Sequence, residues 1–157
     1  MTIRLRIRPL TPNEFTTFRT TFILDWAADL AHIDNLSPSD AVSEATRRTD
    51  ASLSDGLETE GHYLFALVQA ENLIGTLWFS VTNQRAFLDD LTIHKDYRGR
   101  GHGQGALELF EAEVLKLGLK RIDLQVYVHN PRAISLYEKS GYRSTGVNMR
   151  KFLAALP

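Results

Sequence analysis

The run Tyr97-Arg98-Gly99-Arg100-Gly101-His102-Gly103-Gln104-Gly105-Ala106 sets two arginines among alternating glycines. Residues 86–93 before it read as a strand. After it, Leu107, Phe110, Val114 and Leu117 fall on one helical face. A strand, a glycine-rich turn and a helix start together form a seat for phosphate. Glycine lets backbone N–H groups come close to an anion, and the helix start adds unpaired donors and the positive end of its dipole. A bare surface turn explains the segment poorly, because Gly-x-Gly-x-Gly-x-Gly is costly in backbone entropy.

The residues around the glycines narrow the choice of phosphate ligand. No Gly-Lys-Ser or Gly-Lys-Thr follows them, which excludes a Walker loop. Gly101-x-Gly103-x-x-Ala106 matches a dinucleotide fingerprint formally, with Asp123 beyond it. Asp123, however, lies inside the next apolar run, whereas a ribose-binding acid should stand at the strand's carboxyl end. The remaining pattern is Arg98-x-x-Gly101-x-Gly103, preceded by Leu91-x-Ile93.

Periodicity outlines the elements that must hold this loop. Ile3, Leu5 and Ile7 alternate with arginines as a first strand ending at Pro9. Thr11-Pro12-Asn13-Glu14 is a capping box with proline at the first helical position, and Phe15, Phe18, Phe22, Trp26 and Leu30 follow as a core face. Ser37-Pro38-Ser39-Asp40 opens a second helix running to about Ser54. Residues 63–70, 73–82 and 86–93 read as three strands joined by turns short enough for antiparallel hairpins. The loop helix is followed by a strand over 121–128 and a short helix from Asn130-Pro131 to Ser140-Gly141. A closing strand over 142–152 ends the pattern. This order excludes a pure βαβ dinucleotide fold and gives one α/β domain over 1–157.

With 43% apolar residues the chain can bury a sizeable core, and no apolar run reaches membrane-spanning length. The N-terminus alternates like a strand instead of carrying a signal-peptide core, and there is no cysteine for a disulfide or a thiolate site. The expected location is cytoplasmic, with no membrane partner. A net charge of −1 argues against a nucleic-acid binder. Residues 1–60 hold ten acidic and six basic side chains, a net of −4, and residues 61–157 hold nine and twelve, a net of +3. Ordinary surface variation explains such a split. A later half facing an anionic cofactor, with an earlier half facing a neutral or cationic acceptor, is the functional alternative.

A second stretch, Asn130-Pro131-Arg132-Ala133-Ile134-Ser135-Leu136-Tyr137-Glu138-Lys139-Ser140-Gly141-Tyr142, has the form Asn-x-x-Ala-x-x-Leu-Tyr-x-x-x-Gly-aromatic. With the glycine loop, and in the same order, it resembles the signature of the GCN5-related N-acetyltransferases (GNAT family). The resemblance covers residues 62–145, the acyl-CoA-binding core, while residues 1–61 match in element order as acceptor-side elements. Lys95 stands where the family often has proline. The resemblance implies an α+β fold with a mostly antiparallel, mixed sheet, V-splayed between strands ending at Ile93 and Val128 and flanked by helices. Backbone groups of Leu91, Thr92 and Ile93 would pair with the pantetheine amides as another strand would. Arg98, Gly99, Arg100, Gly101, His102 and Gly103 would hold the pyrophosphate of acetyl-CoA, with Arg98 ahead of Arg100 because alternation turns Arg100 to solvent. Asn130 either caps its helix or also touches the cofactor arm.

Tyr137 is the acid that the resemblance implies, donating a proton to the departing coenzyme A thiolate. Its phenol, with a reference pKa of about 10, stays protonated at neutral pH. The alternative is a tyrosine packed on the sheet. An acceptor amine is almost wholly protonated at neutral pH and needs a base, for which Asp89 and Asp90 are candidates. Neighbours on a strand point to opposite faces, so at most one faces the cleft. Asp89 shares parity with Leu91 and Ile93, and a bulge would invert the assignment. The pair also resembles the acidic pair of diamine acetyltransferases, and a carboxylate paired with arginine or backbone donors is the structural alternative. His94, His102 and His129 match no metal spacing, so no metal is expected. The reading is an acetyl-CoA-dependent N-acetyltransferase that moves acetyl directly to a primary amine in a ternary complex, without an acyl-enzyme. Its acceptor is a small molecule or peptide, and a homodimer is left open. Its rivals are a non-catalytic acyl-CoA sensor and, disfavoured by element order, a nicotinamide-dependent oxidoreductase.

Overall fold

The computed structural model describes residues 4–154. The part of the first strand expected at Ile3 therefore lies outside the described residues. The chain divides into two compact units, Met1–Gln125 and Val126–Pro157. The first unit holds a five-stranded sheet in the order β1 (Leu5–Pro9), β2 (His62–Gln69), β3 (Asn72–Thr82), β4 (Arg85–Ile93) and β5 (Ile122–Leu124). Neighbours run antiparallel except β4 and β5, which are parallel. The sheet is thus mixed and mostly antiparallel, as expected.

Two helices join β1 to β2. In α1 (Pro12–Ile33) the Thr11 side chain caps Glu14 N–H at 3.2 Å. The other half of the capping box is replaced: Glu14 turns to Arg8 with bonds of 2.9 and 3.0 Å, which pins the helix start to β1. In α2 (Pro38–Ser52) Ser37 caps Asp40 in the same way. The aromatic stripe of α1 packs on one face of the sheet, where Phe18 and Phe22 meet the Trp78 ring edge-on at 6.1 and 5.1 Å. On the other face Phe79 meets Phe110 of α3 (His102–Lys116) at 5.0 Å. Trp78 and Phe79 are consecutive on β3, so strand alternation alone sends one toward each helix. No helix among the described residues is long and apolar enough to cross a membrane.

In the second unit α4 (Pro131–Lys139) starts at Asn130, whose Oδ1 accepts from Ala133 N–H at 3.2 Å. It ends at Gly141 with φ +93°. Two expectations fail. The strand over 121–128 is β5 alone, ending at Leu124, and residues 142–152 form no strand. Both segments alternate apolar and polar residues, but alternation makes a strand only where another backbone completes its ladder. Val128, Val147 and Met149 are accordingly exposed.

Candidate active site

The geometry of β4 follows from two hydrogen bonds. Ala86 N–H goes to Arg121 O, toward β5, while His94 N–H goes to Ile74 O at 2.7 Å, toward β3. Both numbers are even, and alternate residues of an unbroken strand point to the same edge. An extra residue must therefore intervene. The register places it: Leu88 faces Phe79 and Asp90 faces Trp78, leaving Asp89 unmatched. Asp89 is a β-bulge.

The bulge reverses what parity alone implies. Asp90, Thr92 and His94 turn their side chains to the α1 face, together with Thr76 of β3, and Asp89 loses the parity it would share with Leu91 and Ile93. The bulge also swaps the backbone edges. Beyond Asp89 the groups of Leu91 and Ile93 turn away from β3, and β5 pairs only with Ala86, Phe87 and Leu88. Among the described residues, no strand pairs with this edge of β4 over residues 89–93. An extended chain with amide groups fits there as an added strand would.

On the α1 face lies a cavity of about 270 Å³. Its walls are Phe18 and Phe22, the polar side of α1 from Asn13 through Thr17 and Thr21 to Asp25, and Thr76, Asp90, Thr92 and His94 of the sheet. Burial pushes the Asp90 carboxyl up to about 7. The Thr92 hydroxyl, donating at 3.0 Å, opposes the rise, and the charges of Asp25 and Asp89 add to it. Asp89 is also pushed up to about 7 by burial, against a bond from Ser80, and one of its oxygens is buried without a hydrogen-bond partner among the described residues. Asp90 thus lines the cavity, and Asp89 does not.

From Ile93 the chain passes through a 3-10 turn, Lys95–Tyr97, into the glycine loop. Gly99 and Gly101 hold φ of +75° and +80°, which L side chains rarely adopt. A Cβ on Gly101 would project into open space, so the conformation requires glycine there and crowding does not. Gly101 caps α3 without a side chain, leaving its first N–H groups to an outside acceptor. The residues present therefore fit the pyrophosphate arm of acetyl-CoA. Arg98 turns back along the strand, its Nε–H donating to Ile93 O at 2.8 Å. His102 is the first residue of α3, and its Nε2 is buried without a hydrogen-bond partner among the described residues.

The first unit thus brings Asp89, Asp90, Leu91, Thr92, Ile93 and the loop over 98–103 onto one continuous stretch. Asn130 and Tyr137 belong to the second unit, where Tyr137 packs edge-on against Tyr142 with centroids 5.8 Å apart. Among the described residues no three His, Asp or Glu side chains gather as metal ligands. Asp25 and its neighbours on α1 escaped the sequence reading, although Asn13, Thr17, Thr21 and Asp25 recur every four residues beside the aromatic stripe. That polar stripe is the signal for a wall facing a cavity.

A family model described as the acetyltransferase (GNAT) family matches residues 23–142. The chain is 30% identical to an uncharacterised N-acetyltransferase of Bacillus subtilis, YycN, over 98% of this chain and all of the relative. It is 27% identical to a second from that organism, YdgE, over 94% of this chain and 97% of that one. The crystal structure of YycN superimposes with a TM-score of 0.89 at 28% identity, covering 96% of this chain and 99% of the other. PaiA N-acetyltransferase from Thermoplasma acidophilum, solved with coenzyme A, shares the fold with a TM-score of 0.70 at 19% identity, over 94% of both chains.

Proposed function

The chain belongs to the acetyltransferase (GNAT) family, and from that premise we propose that it transfers acetyl from acetyl-CoA directly to a primary amine held in the α1 cavity. One observation carries the reading: the strand with a ladder-free edge for the donor turns Asp90 into the cavity on its face. The pantetheine amides pair with Leu91 and Ile93, and the pyrophosphate lies against the start of α3 with Gly99, Gly101 and Gly103 giving room and Arg100 adding charge. Asp90, near 7, is substantially ionised at neutral pH and takes a proton from the bound ammonium, directly or through water. The amine nitrogen then bonds to the thioester carbonyl carbon, the C–S bond breaks, and the nitrogen's second proton passes to solvent. The departing sulfur takes a proton from Tyr137, the role that the family resemblance implies.

The reading is supported if acetyl-CoA raises the melting temperature while NAD and ATP do not, and if an amine panel scored by thiol release finds a substrate. Stabilisation by NAD alone would sink it. Binding without turnover of any amine would leave the acyl-CoA sensor. Tyr137→Phe should lower kcat by at least about tenfold and leave acetyl-CoA affinity within about threefold. A parent-like rate would give the thiolate's proton to solvent.

A further inference from the structure

Arg98 stands five residues beyond Ile93 and reaches back to it. The 3-10 turn folds the chain over, and Nε donates to the Ile93 carbonyl at 2.8 Å. That carbonyl lies on the edge of β4 that has no strand partner among the described residues, because alternation from His94 turns it away from β3. The peptide that carries it continues to His94 N–H, which donates to Ile74 O at 2.7 Å. Two bonds thus run through one peptide plane, from a guanidinium to β3, and a charged donor at one end strengthens the bond at the other. Across the ladder, Gly75 admits the β4 backbone so closely that a Cβ there would stand 2.2 Å from Thr92 O. The end of β4 is therefore fixed on both edges. The charge of Arg98 is also felt on α1: burial raises the Asp25 carboxyl, and that charge opposes the rise.

We infer that Arg98 is a positioning residue for the donor, whose Nε–H caps the Ile93 carbonyl and so decides which backbone groups of β4 the donor's amides meet. With that carbonyl taken, Leu91 N–H, Leu91 C=O and Ile93 N–H remain on the edge, which admits one register of an extended chain. Arg98 then acts on the half of the donor next to the thioester. The pyrophosphate is left to the loop backbone and Arg100. The inference rests on the proposed use of acetyl-CoA and adds a role to a residue whose charge alone would assign it to phosphate.

Two donors separate these roles: acetyl-CoA, and S-acetylpantetheine, which ends before the phosphates. Each is assayed with the best amine of the panel on the parent, Arg98→Ala and Arg98→Lys, well below every melting temperature. The expected result is a loss of about tenfold or more in kcat/KM for both donors, equal within about twofold, with lysine no better than alanine because it lacks the Nε donor. A loss confined to acetyl-CoA, largely rescued by lysine, would make Arg98 a phosphate ligand and overturn the inference. So would parent-like values with both donors. A further readout is the Arg98 Nε–H resonance in nitrogen-15 NMR, which should stay protected from exchange when coenzyme A binds; loss of protection would mean that the donor displaces it. A parent that neither binds nor turns over acetyl-CoA would remove the proposed function first, and this inference with it.

Discussion

β4 is two strands in one. From Ala86 to Leu88 it is laddered on both edges, to β3 and to β5, and Ala86 and Leu88 are buried. From Asp90 to Ile93 it is laddered on one edge, its residues are half-buried, and its side chains border a cavity. The bulge at Asp89 is the border, and it exchanges both side-chain faces and backbone edges. Through that one extra residue a core strand becomes a strand that offers hydrogen bonds to a ligand. The cost is visible in two carboxyls held near 7, which a strand built for stability alone would not bury.

The harshest test of this division is Gly75→Val. Gly75 faces Ile93 across the ladder, and a Cβ there would meet backbone atoms, at 2.2 Å from Thr92 O and 3.2 Å from Ile93 Cα. Backbone cannot rotate aside as a side chain can. The expected cost is about 3 kcal/mol in chemical denaturation, together with loss of the melting shift by acetyl-CoA. A variant as stable and responsive as the parent would show that the far half of β4 is not clamped.

Next comes the pair at the border. Asp90→Asn should lower kcat by about 10²–10⁴-fold, the range of a lost general base, and abolish the rise of rate with pH near 7. Asp89→Asn should lose less than about tenfold, since its carboxylate bonds Ser80 and stays out of the cavity wall. Equal losses would mean that the bulge does not sort the two.

The sorting of this pair marks the limit of the sequence. Local signals carried the caps at Thr11, Ser37 and Asn130, the helix end at Gly141 and the glycine turn ahead of α3, because each depends on residues within a turn of one another. The bulge has no such signal. Nothing in Leu88-Asp89-Asp90 demands it, and it exists only as a mismatch of register with β3. The expected strand over 142–152 failed for the same reason, since a ladder depends on a distant partner. Along α1 the aromatic stripe dominated and hid the polar stripe ending at Asp25.

A smaller effect concerns stability against pH. The Asp89 and Asp90 carboxyls are near 7 when folded and near 4 when unfolded. Between those values the folded chain keeps protons that the unfolded chain gives up. Their contribution is therefore full below about pH 4 and is lost as pH rises through about 7. Asp90→Asn removes its share of that loss. At pH 8 the variant should be more stable than the parent by about 1–2 kcal/mol, while being the poorer catalyst. A variant less stable than the parent at pH 8 would mean that Asp90 is held charged by a favourable partner.

The smallest effect is expected in the doubly laddered half. Asp123 on β5 accepts from Arg85 of β4 at 2.9 Å and from Arg121 at 2.9 and 3.0 Å, and these arginines, Arg121 foremost, hold its carboxyl below the usual carboxylate range. The cluster is half-exposed, so water and salt still screen it, and its removal costs little. Asp123→Asn should melt within about 3 °C of the parent, with the gap closing in high salt, because the backbone ladder from Ala86 to Leu88 persists without it. The acetyl-CoA shift and the kinetics should match the parent, since Asp123 neighbours only the half of β4 before the bulge. Should Asp123→Asn instead abolish the acetyl-CoA response, pairing to β5 would govern the ladder-free edge, and the two halves of β4 would be one device.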